Sequence, residues 1–129
     1  MQTFKKEERL SKTKLIDQLF AEGEKFSIPP FRIIWLETDL TTKSPAQILI
    51  SVPKKRFKSA VVRNKIKRRT REAYRKNKKS FYNFLNKTNK NCVFALVYNS
   101  GDIGSYKDIE EKIILILQRL QTIHENNIE

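Results

Sequence analysis

Few side chains in this sequence have the types and spacing for chemistry, and most of those that do are cations. The chain holds one histidine, His124, and one cysteine, Cys92. One of each gives no internal disulfide, no zinc ligand set and no supported nucleophile–base pair. Cys92 lies in an apolar run and reads as a small core hydrophobe. His124, beside Glu125 near the C-terminus, reads as a solvated surface residue. Asp108, Glu110 and Glu111 lack the paired spacing that holds divalent cations for phosphodiester cleavage. They fit the negative first turn of a helix, which the helix dipole favours. Three scattered glycines build no phosphate-cradling loop. No catalytic centre is visible, and no small-molecule substrate is implied.

The cations are another matter. Net charge is +13, from 27 Lys and Arg against 14 Asp and Glu. Between Pro53 and Lys79 stand 14 basic residues and one acid, Glu72; the other 102 residues balance at 13 of each sign. The excess is therefore focused in one segment, and a focused positive field calls for a polyanionic partner, most simply nucleic acid. Within it Arg63, Lys67, Arg71 and Arg75 fall at i, i+4, i+8 and i+12. On a helix rising 1.5 Å per residue such a ladder spans ~18 Å, enough to follow several phosphates. Val62, Ile66, Thr70, Ala73 and Tyr74 form an apolar stripe beside it. Like charges at i, i+4 destabilise an isolated helix. The stripe must therefore be buried, and an anion must meet the ladder.

The remaining elements have to position that helix. Ser11 or Thr13 caps a first helix to about Glu22, with Leu15, Ile16, Leu19 and Phe20 as its apolar face. Gly23 suits a left-handed position closing it. Phe26–Ile28 reads as a short strand stopped by Pro29-Pro30. Phe31–Thr38 is a strand with Phe31, Ile33 and Trp35 on one face. A polar turn over Leu40–Pro45 leads to a second long strand, Gln47–Val52, so these two are expected to pair as a hairpin. Pro53 ends it. The basic helix spans about Ser59–Lys76. Lys76–Lys90 either continues it or forms a second short helix. Cys92–Tyr98 is apolar throughout, as a strand buried on both faces must be. Ser105 caps a closing helix with Ile109, Ile113, Ile116, Leu117 and Leu120 inward. The order α, β, β, β, α, β, α gives one α+β domain over residues 1–129, with a small central sheet and a parallel crossover through the basic helix. Residues 1–8 and 124–129 read as flexible tails. With no secretory h-region and no run of ~18–20 apolar residues, the expectation is a cytoplasmic protein with no membrane partner.

The stretch Phe57-Lys58-Ser59-Ala60-Val61-Val62-Arg63-Asn64-Lys65-Ile66-Lys67-Arg68-Arg69-Thr70-Arg71-Glu72 resembles the signature of the protein subunit of bacterial ribonuclease P. In that family an Arg-Asn-Arg motif opens the long basic helix, after a strand running into two lysines, here Val52-Pro53-Lys54-Lys55. The likeness extends to the Arg9-Leu10 lead-in, the strands and the closing helix. It implies a left-handed crossover around the basic helix, against the usual right-handed rule. It also implies a ribonucleoprotein endonuclease that removes the 5′ leader of precursor tRNA, with catalysis in the RNA subunit. Magnesium is expected in the holoenzyme, and no cofactor on the protein alone. The RNA-subunit contacts implied are Lys54, Lys55, Arg63, Asn64, Lys65, Lys67, Arg68, Arg71 and Arg75. A cleft between the first helix and the sheet holds the leader, on Ile16, Phe20, Phe31 and Trp35. Two positions depart from the family pattern. Lys65 replaces an Arg and loses its planar fork. Ile16 stands where an aromatic is common and packs against a base less fully than a ring stacks. The alternative left by the residues alone is a ribosomal-type or other structured-RNA or DNA-binding module without a role in tRNA processing.

Overall fold

The computed structural model describes residues 4–40 and 44–126. After a short 3-10 turn at Lys6–Glu8 come α1 (Thr13–Glu22), β1 (Glu24–Ile28), β2 (Phe31–Glu37), β3 (Ala46–Ser51), α2 (Ala60–Asn77), α3 (Lys79–Lys87), β4 (Cys92–Tyr98) and α4 (Tyr106–Asn126). The chain is one α+β domain. Lys76–Lys90 thus resolves into the end of α2 and a separate α3.

The sheet order is β1-β2-β4-β3. This corrects the expected hairpin between the second and third strands. β1 and β2 form the hairpin instead, turning at the cis Pro29-Pro30 bond with Ile28 opposite Phe31. β4 enters between β2 and β3, antiparallel to the first and parallel to the second. The physical reason is burial. β4 is apolar at every position and almost wholly buried, so it takes the centre, and the polar-flanked β3 is left towards the edge. Arg9 and Leu10 cover that edge, with the Leu10 N–H donating to the Ile48 carbonyl at 3.0 Å. The parallel crossover from β3 through α2 to β4 is as expected.

Two cores result. On one face Phe31, Ile33, Trp35, Ile48, Phe94 and Leu96 pack under α2, α3 and α4. On the other, Ile34, Val93 and Ala95 pack under Leu10 and Leu19. Two sequence expectations near α1 change. Its N-cap is Lys12, with no side-chain cap from Ser11 or Thr13. Gly23 is extended rather than left-handed. It is needed for room: a Cβ there would lie 2.4 Å from the Leu19 carbonyl oxygen and 2.7 Å from Ile34 Cγ2. Among the described residues the left-handed one is Asn89, at φ 57°. It closes α3 with paired bonds from Asn89 N–H to Asn86 and from Lys90 N–H to Leu85. The Ser105 cap forms as expected, its hydroxyl accepting from the Asp108 N–H; Ser59, read from the sequence only as the start of the basic helix, also caps it, accepting from the Val62 N–H.

The tails also change. Residues 1–3 and 127–129 lie outside the described residues, but Phe4 packs edge-on to Tyr74 at 6.1 Å, and Glu8 is buried in an ion pair with Lys78. His124 is not a solvated residue. It is fully buried, its Nδ1 is 2.7 Å from the Leu120 carbonyl, and its ring lies 5.1 Å from that of Trp35. α4 carries it under the sheet.

Cys92 is core, and burial first, then nearby Glu37, pushes its thiol well above the ordinary range. A raised thiol pKa means the folded chain keeps its proton while the unfolded chain loses it. Stability therefore falls as pH rises past ~8.5, the free thiol's value. At pH 8 a thiol reagent should leave Cys92 untouched in the native protein and label it at once in denaturant. Rapid native labelling would show that β4 opens readily.

Candidate RNA interface

α2 presents its stripe inward as predicted: Ile66, Thr70, Ala73 and Tyr74 are buried. The Thr70 hydroxyl is satisfied by donating to the Ile66 carbonyl. Its cations do not form one uniform ladder. Arg63 turns back on the loop before the helix and donates to the Phe57 and Lys58 carbonyls, both at 2.8 Å. Arg69 donates to the Gly104 carbonyl at 2.6 Å and ties α2 to the loop before α4. That loop is braced by the Tyr98 hydroxyl, which donates to the Asp102 carbonyl and accepts from Gly104 N–H. Arg75 grips Glu72 through two nitrogens. That hydrogen bond holds the Glu72 carboxyl below its usual range. The one acid of the basic segment is thereby spent on its neighbour.

What remains is the outward charge. Asn64, Lys65 and Arg68 are exposed, Lys67 and Arg71 half-exposed, and Lys54 and Lys55 stand on the exposed loop after β3. Lys65, Lys67, Arg68 and Arg71 pair with no carboxylate among the described residues. Sequence reasoning did not assign Arg9. Its guanidinium lies 5.6 Å from the centre of the Phe4 ring, and that of Arg71 lies 6.0 Å from it. Burial, and then the Arg9 charge, lower the Arg71 pKa. Two guanidiniums held this close attract a shared anion. The Arg9-Leu10 lead-in was visible as sequence, but only the fold carries it to α2.

The second part of the site flanks α1. At 100° per residue, buried Leu19 points at the sheet, with Leu15 and Gln18 to one side and Ile16 and Phe20 to the other. Leu15 and Gln18 share a recess with Leu40 and Gln47. The Ile16–Phe20 flank therefore faces the opposite end of the sheet. There the register sets Arg32, Val97 and Ser51 side by side, backed by Ile34, Ala95 and Leu49. Phe20 is 43% exposed, large for an aromatic in a domain with a full core.

Phe31 and Trp35 do not join this cleft. They point to the opposite face and are buried against Tyr98 and His124, respectively. β2 is apolar on both faces at its centre, so periodicity could not tell which face α1 covers. The even-numbered set, Arg32, Ile34 and Leu36, is the one that lies beneath it. Among the described residues no three His, Cys, Asp or Glu side chains gather to hold a metal ion, and no helix is long and apolar enough to cross a membrane.

The family model described as Ribonuclease P matches residues 4–121. The chain belongs to the ribonuclease P protein family. The ribonuclease P protein component of Porphyromonas gingivalis strain ATCC 33277 is 32% identical over 115 residues, covering 89% of this chain and 84% of that one. That of Petrotoga mobilis is 33% identical over 123 residues, covering 93% and 97%. Among solved structures, the RNase P protein from Thermotoga maritima superposes with TM-score 0.68 at 22% identity, over 87% of this chain and 96% of that one. The Staphylococcus aureus RNase P protein gives TM-score 0.61 at 21% identity, over 88% and 94%. As a ribonuclease P protein, the chain is the protein part of an RNA–protein endoribonuclease of tRNA processing. The family assignment agrees with a site made of cations and apolar surface, and it accounts for the RNA partner that the charge distribution called for.

Proposed function

We propose that α2, the Lys54-Lys55 loop and Arg9 bind the RNA subunit of ribonuclease P. We further propose that the Ile16–Phe20 flank of α1 binds the 5′ leader of precursor tRNA. The observation that carries the first part is the set of α2 cations that have no carboxylate partner among the described residues, on a helix whose other face is locked into the core. Phosphates supply the missing counter-charge, with salt-dependent affinity. For the second part, the half-exposed Phe20 ring and the Arg32–Val97–Ser51 surface offer an apolar platform beside a cation. That is what an unpaired strand needs, since base stacking contributes ~1–3 kcal/mol per base. Catalysis then lies with the RNA. Magnesium ions would be held by RNA and substrate. The assembly would work in the cytoplasm.

Reconstitution tests this reading. Protein, a bacterial ribonuclease P RNA and a precursor tRNA at low magnesium should give cleavage at the mature 5′ end. Either component alone should give little or none under those conditions. No stimulation by a folded protein would leave a basic RNA binder of another kind. Phe20→Ala should weaken binding of leader-bearing precursor by about 1–3 kcal/mol and leave mature tRNA affinity unchanged. Phe20 is 43% exposed, so its truncation should cost less stability than the ~3–5 kcal/mol of a fully buried phenylalanine, and urea unfolding checks that the variant is folded. Equal losses for both RNAs would remove Phe20 from the leader site.

A further inference from the structure

Lys54 and Lys55 act in that reading from a loop, and a loop must be held if its cations are to meet phosphates in one register. Residues 53–59 join β3 to α2. Lys54, Lys55, Arg56 and Lys58 are all exposed there, and none forms an ion pair among the described residues. Like charges this close in sequence repel one another and splay a free loop.

Several contacts oppose that. The Arg56 N–H closes a turn on the Pro53 carbonyl at 3.1 Å. Arg63 reaches back from the first turn of α2, and its Nη1 donates to the Phe57 and Lys58 carbonyls, each at 2.8 Å. Both carbonyls precede the N-cap Ser59, so no helical N–H serves them. Arg56 donates through Nη2 to the Asn99 amide oxygen at 2.5 Å. Asn99 follows β4 and has had no part in the site so far. Its own N–H donates to the Pro30 carbonyl at 2.7 Å, which fixes it to the β1–β2 hairpin. The Phe57 ring rests 6.2 Å from that of Tyr98. Every acceptor in this clamp is neutral: backbone carbonyls and one amide oxygen. A carboxylate would hold the loop equally well, but it would cancel the charge, as Glu72 does for Arg75. The clamp fixes the cations and leaves their field intact.

We infer that Arg63 and Asn99 are positioning residues for RNA binding. They act through the Lys54-Lys55 loop, and Arg63 is not itself the phosphate contact that the family pattern implies. Holding the loop before RNA arrives removes its ordering cost from the binding step. The inference rests on the RNA-subunit reading above.

Salt titrations of RNA-subunit binding to the full-length protein test it. Asn99→Ala removes no charge. Binding should nevertheless weaken about five- to tenfold near 0.1 M salt, and the slope of log K against log salt should fall by roughly 0.7–0.9, as when one phosphate contact is lost. A purely structural role for Asn99 would lower the urea midpoint and leave that slope alone. Arg63→Gln should lower the slope in the otherwise unchanged protein. In a Lys54→Ala/Lys55→Ala background it should lower it no further, since the lysines it places are gone. Asn99 is exposed, so its variant keeps the test open even if Arg63→Gln fails to fold. An unchanged slope in Asn99→Ala would overturn the inference. So would an equal fall for Arg63→Gln in both backgrounds, which would make Arg63 a phosphate contact of its own. Either result with normal binding by the unaltered protein sinks the inference alone. Failure of the unaltered protein to bind the RNA subunit sinks the proposed function, and this inference with it.

Discussion

Glu8→Ala should destabilise the fold by about 3–5 kcal/mol, the range expected when one partner of a buried ion pair is removed. Glu8 and Lys78 are both nearly inaccessible and bonded to each other. The second Glu8 carboxylate oxygen accepts from the Lys5 N–H at 2.5 Å. Lys78 sits at the junction of α2 and α3, its ammonium 5.2 Å from the centre of the Tyr82 ring. Truncating Glu8 leaves that ammonium in a low-dielectric site with its main counter-charge gone. For a domain of ~5–15 kcal/mol total stability this is a large share, and the urea midpoint should fall with little change in slope. Replacing both residues with apolar ones of similar volume should recover most of the loss. A single-variant change below about 1 kcal/mol would mean the pair is open to water in solution. The pair also holds Phe4 and Arg9 against α2, so Glu8→Ala should weaken RNA binding through Arg9 as well.

That ion pair illustrates what sequence could and could not show. Glu8 and Lys78 are 70 positions apart, and each sits among other charges with nothing to mark it as buried. The same holds for Arg9 beside Arg71. Features set by local pattern were legible: the Ser105 cap, the inward stripe of α2, the all-apolar centre strand. Features set by which surfaces meet were not. The hairpin expectation failed because adjacency in sequence was taken for adjacency in the sheet, and β4 outcompeted β3 for the centre. Phe31 and Trp35 were placed in the cleft because an apolar face was visible, but β2 has two. His124, alone among charges near the end of the chain, gave no sign that α4 would carry it into the core. The charge excess was the firmest signal, because net charge needs no fold to be read. Even there the structure divides the cations, turning Arg63, Arg69 and Arg75 to intramolecular work.

That division makes a prediction that charge counting does not. Replacing Lys67, Arg68 and Arg71 together by Ala should lower the slope of log K against log salt for RNA-subunit binding by about 2–3, roughly 0.7–0.9 for each phosphate no longer neutralised. Affinity at low salt should fall by orders of magnitude, while the fold should persist. None of the three holds a carboxylate among the described residues, and the buried stripe is untouched. Removing like charges from adjacent turns should even relieve some repulsion in the free helix. The matched triple at Arg63, Arg69 and Arg75 removes the same charge from the same helix but also cuts the bonds to Phe57, Lys58, Gly104 and Glu72. Its expected signature is the reverse in kind: lower stability, with the salt slope changed less. Salt titrations of RNA binding and urea unfolding on both triples separate the cases. If the two lose slope equally and neither loses stability, the intramolecular bonds give way when RNA binds, and the ladder acts as the single uniform stripe that its spacing in sequence suggests.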